Sequence, residues 1–141
     1  MGLIVIAQYW FLISEGPAQL AVYQEGYRNG VNARPARERA RVASFLIANP
    51  PGRLILMHTG ALGPVVPQGG LRFSEIIHEG SLRWHQLEDG IPNDVATVML
   101  QLGDPLDVRV RETPALGRDL ENAFQVKLSV GNIKVFQRRE Y

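Results

Sequence analysis

The stretch Phe124-Gln125-Val126-Lys127-Leu128-Ser129-Val130-Gly131-Asn132-Ile133-Lys134-Val135 points most directly to the fold class. Apolar Phe124, Val126, Leu128 and Val130 alternate with polar Gln125, Lys127 and Ser129. Gly131-Asn132 interrupts the alternation, and Ile133-Lys134-Val135 resumes it. Two runs of period two around a two-residue turn are the pattern of a β-hairpin. A two-residue loop sets Val130 opposite Ile133 and Leu128 opposite Val135, so one face of the hairpin is expected to be wholly apolar.

Outward from the hairpin, short apolar runs recur between turn signals. Residues 95–102 and 106–112 read as strands, the second with Leu106, Val108 and Val110 on one face. Residues 113–122 read as a loop with room for a short helical turn. Residues 71–78 and 81–87 read as a second hairpin around Glu79-Gly80, and residues 53–58 as one more strand. Residues 60–70 hold four glycines and two prolines and read as a long loop. Val65 and Val66 at its centre suggest a projecting arm. Residues 3–13 form an apolar run expected to be a buried strand. That run lacks a basic leader and a small-residue cleavage site. It is also far short of the roughly 20 residues that span a bilayer.

One helix is expected, over about residues 33–48. Asn32 suits an N-cap and Pro35 a first turn. Ala36, Ala40, Ala43 and Ile47 recur at helical spacing with Val42 and Leu46, and Pro50-Pro51 ends the run. The expected fold is therefore mainly β, α+β at most. It is a β-sandwich or partly open barrel of about 8–10 short strands, a single domain over residues 1–141, with the helix packed across it.

Composition narrows the functional classes. The 141 residues are 45% hydrophobic and 21% charged with a formal net charge of +1. Such a chain can bury a core without a metal or disulfide, and it carries no global charge that calls for nucleic acid or an acidic membrane. Cysteine is absent, which removes thiol catalysis and thiolate metal sites and suits either redox setting, so no compartment is assigned. Lysine occurs only at Lys127 and Lys134, and the remaining cations are arginines. Arginine favours planar, bidentate pairing at interfaces.

No catalytic motif stands out, and no cofactor is expected. His78 and His85 invite a metal test. On a hairpin turning at Glu79-Gly80 they would stand roughly 13 Å apart, too far for one ion with ligands about 2 Å away. His58 ends a different strand. Carboxylates for acid–base work could come from Asp104, Asp107, Glu112, Asp119 and Glu121, but nothing in the sequence marks a shielded pair. The serines lie in no nucleophile elbow, and the 60–70 glycines lack a phosphate-cradle ending.

Two surface features remain. Arg34, Arg37 and Arg41 fall at i, i+3 and i+7 on one helix face. Tyr9, Trp10 and Phe11 are consecutive, so in a strand at least one large aromatic faces away from its own core. Both suit protein contacts. The leading expectation is a non-catalytic assembly protein working as a homo-oligomer or with other subunits, of the kind found as virion decoration or tail components. Its contacts would come from Tyr9, Trp10, Phe11, Arg34, Arg37, Arg41, Val65 and Val66. One alternative is a small-ligand or enzymatic site built on His58, His78 and His85 with Trp84. The other is a nucleic-acid contact through Arg34, Arg37 and Arg41.

Overall fold

The closing hairpin forms, and in forming it divides its apolar residues between the two faces of a sheet. A computed structural model of the chain describes Gly30 and residues 33–139. The chain separates into two compact units, Met1–Arg37 and Glu38–Tyr141, and the second holds the sheet and the cores on both of its faces. Hairpin strands β4 (Phe124–Val130) and β5 (Ile133–Arg138) pair as expected at Val130↔Ile133 and Leu128↔Val135. Gly131 holds the turn at φ +57°, a conformation that costs glycine least. Between Val126 and Leu128 the register slips. Val126 pairs with Phe136, and Lys127 is left as the extra residue of a β-bulge. Val135 and Phe136 are neighbours on β5 and point to opposite faces, so Val126 and Leu128 do too. The hairpin therefore has no single apolar face: Phe124 and Phe136 join one core, and Leu128, Ile133 and Val135 join the other.

A two-faced core is the signature of a sheet covered on both sides, and that is the architecture. The five strands run in the order β2-β1-β3-β5-β4, with β1 at Leu54–Met57, β2 at Ile76–Ile77 and β3 at Val95–Gln101. β1 pairs in parallel with both β2 and β3, while β5 runs antiparallel to β3 and β4. The middle strands are apolar almost without interruption, as strands buried on both faces must be. Ile55, Leu56, Met57, Val98 and Met99 are all fully buried, and each such side chain contributes on the order of 1.5–3 kcal/mol.

Helices close both faces. Helix α1 (Arg34–Ala48) lays Val42, Ala43 and Leu46 on the side of Ile55, Met57 and Met99. Two short helices, α2 (Thr59–Leu62) and α3 (Val65–Gln68), add Leu62, Val65 and Val66 to the same side. The other side, under Leu56, Val98 and Leu100, holds Trp84 from α4 (Leu82–His85). It also holds Leu106 and Val110 from α5 (Pro105–Glu112) and Leu116 and Leu120 from α6 (Pro114–Ala123).

The described fold is thus α+β, an open mixed sheet with six helices among the described residues, and not a mainly β sandwich or closed barrel. Residues 106–112 are a helix because positions i, i+2, i+4 contain the i, i+4 pair that a helix also buries. Leu106 and Val110 are buried and Val108 is not. Asp104 caps that helix by accepting the Asp107 N–H at 2.7 Å, with Pro105 in its first turn. Pro114 opens α6 in the same way. The expected hairpin over residues 71–87 is absent. Residues 78–81 form a tight turn, with the Ser81 N–H donating to the His78 carbonyl at 2.8 Å, and the chain then enters α4. The 60–70 segment is not a projecting arm: its prolines and glycines punctuate two helical turns, and Val65 and Val66 are 0% and 1% exposed. The predicted strand over residues 3–13 lies outside the described residues.

Candidate functional site

In parallel sheets the place to look for a site is the carboxyl end of adjacent strands whose outgoing connections leave to opposite faces. β1 and β3 meet that condition. The chain leaves β1 into α2 and α3 on one face, and leaves β3 into α5 and α6 on the other. The residues after the two strands therefore flank a switch point of the sheet, where a ligand site is to be sought.

His58 is the first residue after β1. Its imidazole lies over Gly60, where a Cβ would stand 2.6 Å from its Cε1, so the ring occupies space that only glycine leaves open. Glu79 follows β2, the strand on the other side of β1. Its carboxylate accepts the Thr59 N–H at 2.9 Å and the Thr59 hydroxyl, tying the two strand ends together at the start of α2. His58 Nε2 lies 3.7 Å from Glu79 Oε1. Burial works to raise the Glu79 pKa, but the two Thr59 bonds and the charge of His58 outweigh it and hold the carboxyl below its ordinary value.

Asp104 follows β3. Besides capping α5 it accepts the Gln101 N–H at 3.3 Å. About half-buried, its carboxyl is pushed above the ordinary value by desolvation, against those two backbone bonds and the charge of His58. Trp84 forms the apolar floor, nearly buried, its ring 6.3 Å from that of His58 at 50°. The Arg109 guanidinium of α5 lies 5.8 Å from the Trp84 ring, within cation–π reach. The arrangement is an imidazole whose charge acts on two carboxylates of opposite tendency, one held ionised and one moved toward protonation. Such a set can bind hydrogen-bond donors and exchange a proton with them.

Of the three histidines, the structure brings His58 to Trp84 and leaves the others apart. His78 serves its own turn, its Nδ1 accepting the Gly80 N–H at 3.1 Å, with its ring edge-on to Phe73. His85 is exposed at the end of α4. Ser74 and His85, which a hairpin would have set opposite each other, sit in a 3-10 turn and a helix. Among the described residues no group of three His, Asp or Glu side chains is arranged to hold a metal ion.

Of the expected contact residues, Arg34, Arg37 and Arg41 are exposed on α1, Val65 and Val66 are core, and Tyr9, Trp10 and Phe11 lie outside the described residues. No motif in the sequence joins Thr59, Glu79 and Arg109. The available signal was a strand followed at once by His58-Thr59-Gly60, matched by Asp104-Pro105 after a second strand. Comparison with known protein families, with curated proteins and with solved structures finds no match to this chain.

Proposed function

We propose that the unit Glu38–Tyr141 is a ligand-binding module. Its site is the switch point at the carboxyl ends of β1 and β3, and it takes a small polyhydroxylated molecule. The observation that carries this reading is the placement of His58 against Glu79 at 3.7 Å and beside the Trp84 ring, at a point where the strand connections diverge and Asp104 follows the neighbouring strand. Carboxylates with lone pairs to spare accept hydroxyl groups, and His58, about one-fifth exposed, is the group placed to exchange a proton with one of them. Arg109 supplies a cation at the rim, held in place over Trp84.

The alternative of an assembly protein, whether or not a virion component, keeps the exposed arginines of α1 but loses Val65 and Val66, which the core has taken. The edge strand β4 also argues against growth of the sheet by copies of itself, because the Lys127 bulge is a common device against edge pairing. The ligand reading is tested by titrating small polyols and hexoses into the isotopically labelled chain. A shared saturation at the amides of Thr59, Gly80, Gly103 and Asp107, lost in His58→Gln, is the expected result. Shifts that avoid these amides, or that survive His58→Gln, would refute it.

A further inference from the structure

Two basic side chains of the proposed site share one indole. Trp84 belongs to the core under Leu56, Val98 and Leu100, as do Leu106 and Val110 of α5. The His58 ring approaches the Trp84 ring from the end of β1, at 6.3 Å, and the Arg109 guanidinium from α5, at 5.8 Å. His58 and Arg109 therefore lie on one face of the sheet. Side chains of a helix lean toward its N-terminus, and the N-terminus of α5 adjoins the carboxyl end of β3. Arg109 thus leans toward the strand ends that Glu79 and Asp104 follow.

Arg109 differs from the arginines around it in having no anion. Arg83 of α4 is held by both oxygens of Asp94, at 2.6 and 2.9 Å, and Arg111 of α5 by Asp107 at 2.9 Å. Arg109 is half-buried against the Trp84 ring and makes no hydrogen bond or ion pair among the described residues. A guanidinium partly withdrawn from water, with its N–H donors unspent, is suited to a carboxylate or phosphate. The two carboxylates of the site are committed elsewhere. Glu79 accepts from Thr59 with both oxygens, and Asp104 accepts the Gln101 and Asp107 N–H groups with one oxygen each. Their remaining lone pairs suit the hydroxyls of a ligand. Resting on the reading of this site as one for a polyhydroxylated molecule, we propose that the ligand is an acidic sugar. Its hydroxyls meet Glu79 and Asp104, and its oxyanion, a carboxylate or a phosphate monoester, meets Arg109. Trp84 holds the guanidinium in place, so Arg109 sets the preference for charge.

The test is a titration of glucose, glucuronate and glucose 6-phosphate into the isotopically labelled full chain, as wild type, Arg109→Gln and Arg109→Lys. The amides of Thr59, Gly80, Gly103 and Asp107 report binding. Glucuronate or glucose 6-phosphate should saturate them at a concentration about tenfold or more below that of glucose, as one charge-assisted hydrogen bond warrants. Whichever of the two binds more tightly identifies the oxyanion. Raising the salt concentration should narrow the preference in the wild type, a readout that needs no variant. Arg109→Gln should bring the acidic sugars to the level of glucose. Arg109→Lys should keep part of the preference, because it keeps the charge without the planar fork. Equal affinity for all three sugars, or a preference that survives Arg109→Gln, would overturn the acidic-sugar inference and leave the polyol reading standing. No saturation at these amides by any of the three would overturn both.

Discussion

Replacing Asp104 separates its two contributions, which pull in opposite directions. The side chain caps α5 through the Asp107 N–H at 2.7 Å and holds the Gln101 N–H at 3.3 Å. Its ionised form is also penalised by burial, so its folded pKa stands above the unfolded value. Linkage sets the sign. Between the unfolded and folded pKa values the native state binds more protons, so this group's contribution to stability declines as pH rises through that window, and the full penalty stands at neutral pH. Asp104→Ala removes the cap along with the charge, and losing an N-cap costs about 1 kcal/mol, range about 0.5–2. For a unit of this size that is roughly 4 °C in melting temperature. Asp104→Asn keeps an oxygen for the shorter bond, gives up the longer one and removes the buried charge. It should stay within about 0.5 kcal/mol of wild type at neutral pH, since asparagine caps about as well as aspartate. Urea denaturation of the three proteins at neutral and mildly acidic pH measures both effects. If the asparagine and alanine variants fall equally, the cap is not what Asp104 supplies. If the asparagine variant gains on wild type as pH falls, the sign of the burial penalty is wrong.

The contacts at β1 and β4 carry three further outcomes. Glu79 is held below its ordinary pKa, so it adds stability above the unfolded value that is lost as pH falls through the folded one. Glu79→Gln should therefore lose less stability than wild type on acidification from about pH 6 to pH 3, and equal losses in chemical denaturation would count against the Thr59 and His58 contacts. Val65→Asp would bury an unpaired charge and should cost several kcal/mol, enough to abolish cooperative melting. A variant that melts normally would restore the projecting arm. Deleting Lys127, the unpaired residue of the bulge, would straighten β4 while keeping Val126↔Phe136 and Phe124↔Arg138, so Phe124 should stay in its core and the protein should still unfold cooperatively. A deletion variant that no longer folds would mean that the two faces are not divided as described.

The hairpin was legible to its register because Gly131-Asn132 fixes the loop length, and loop length fixes the pairs. The bulge at Lys127 was not legible. It comes from fitting β4 to a sheet that is covered on both sides, a condition no local pattern records. Residues 106–112 misled for a different reason. Leu106 and Val110 satisfy both periods, Val108 only that of a strand, and the Asp104-Pro105 cap is the local signal for the helix. Val65 and Val66 sat among loop formers, yet Leu62, Val65 and Val66 together seal one face of β1. In the site, His58 and Trp84 stand out from sequence, whereas the Glu79–Thr59 bonds depend on β1 pairing in parallel with β2. Asp104 reaches the site only because β3 is the other neighbour of β1.

The measurement that tests the central claim most directly is a crystal structure of the chain soaked with a mixture of small polyols and hexoses. Density is expected between the carboxyl ends of β1 and β3, with hydroxyl groups within hydrogen-bond distance of His58 and of the Asp104 or Glu79 carboxylate. A ligand seated elsewhere, with the switch point filled by protein side chains, would contradict the claim.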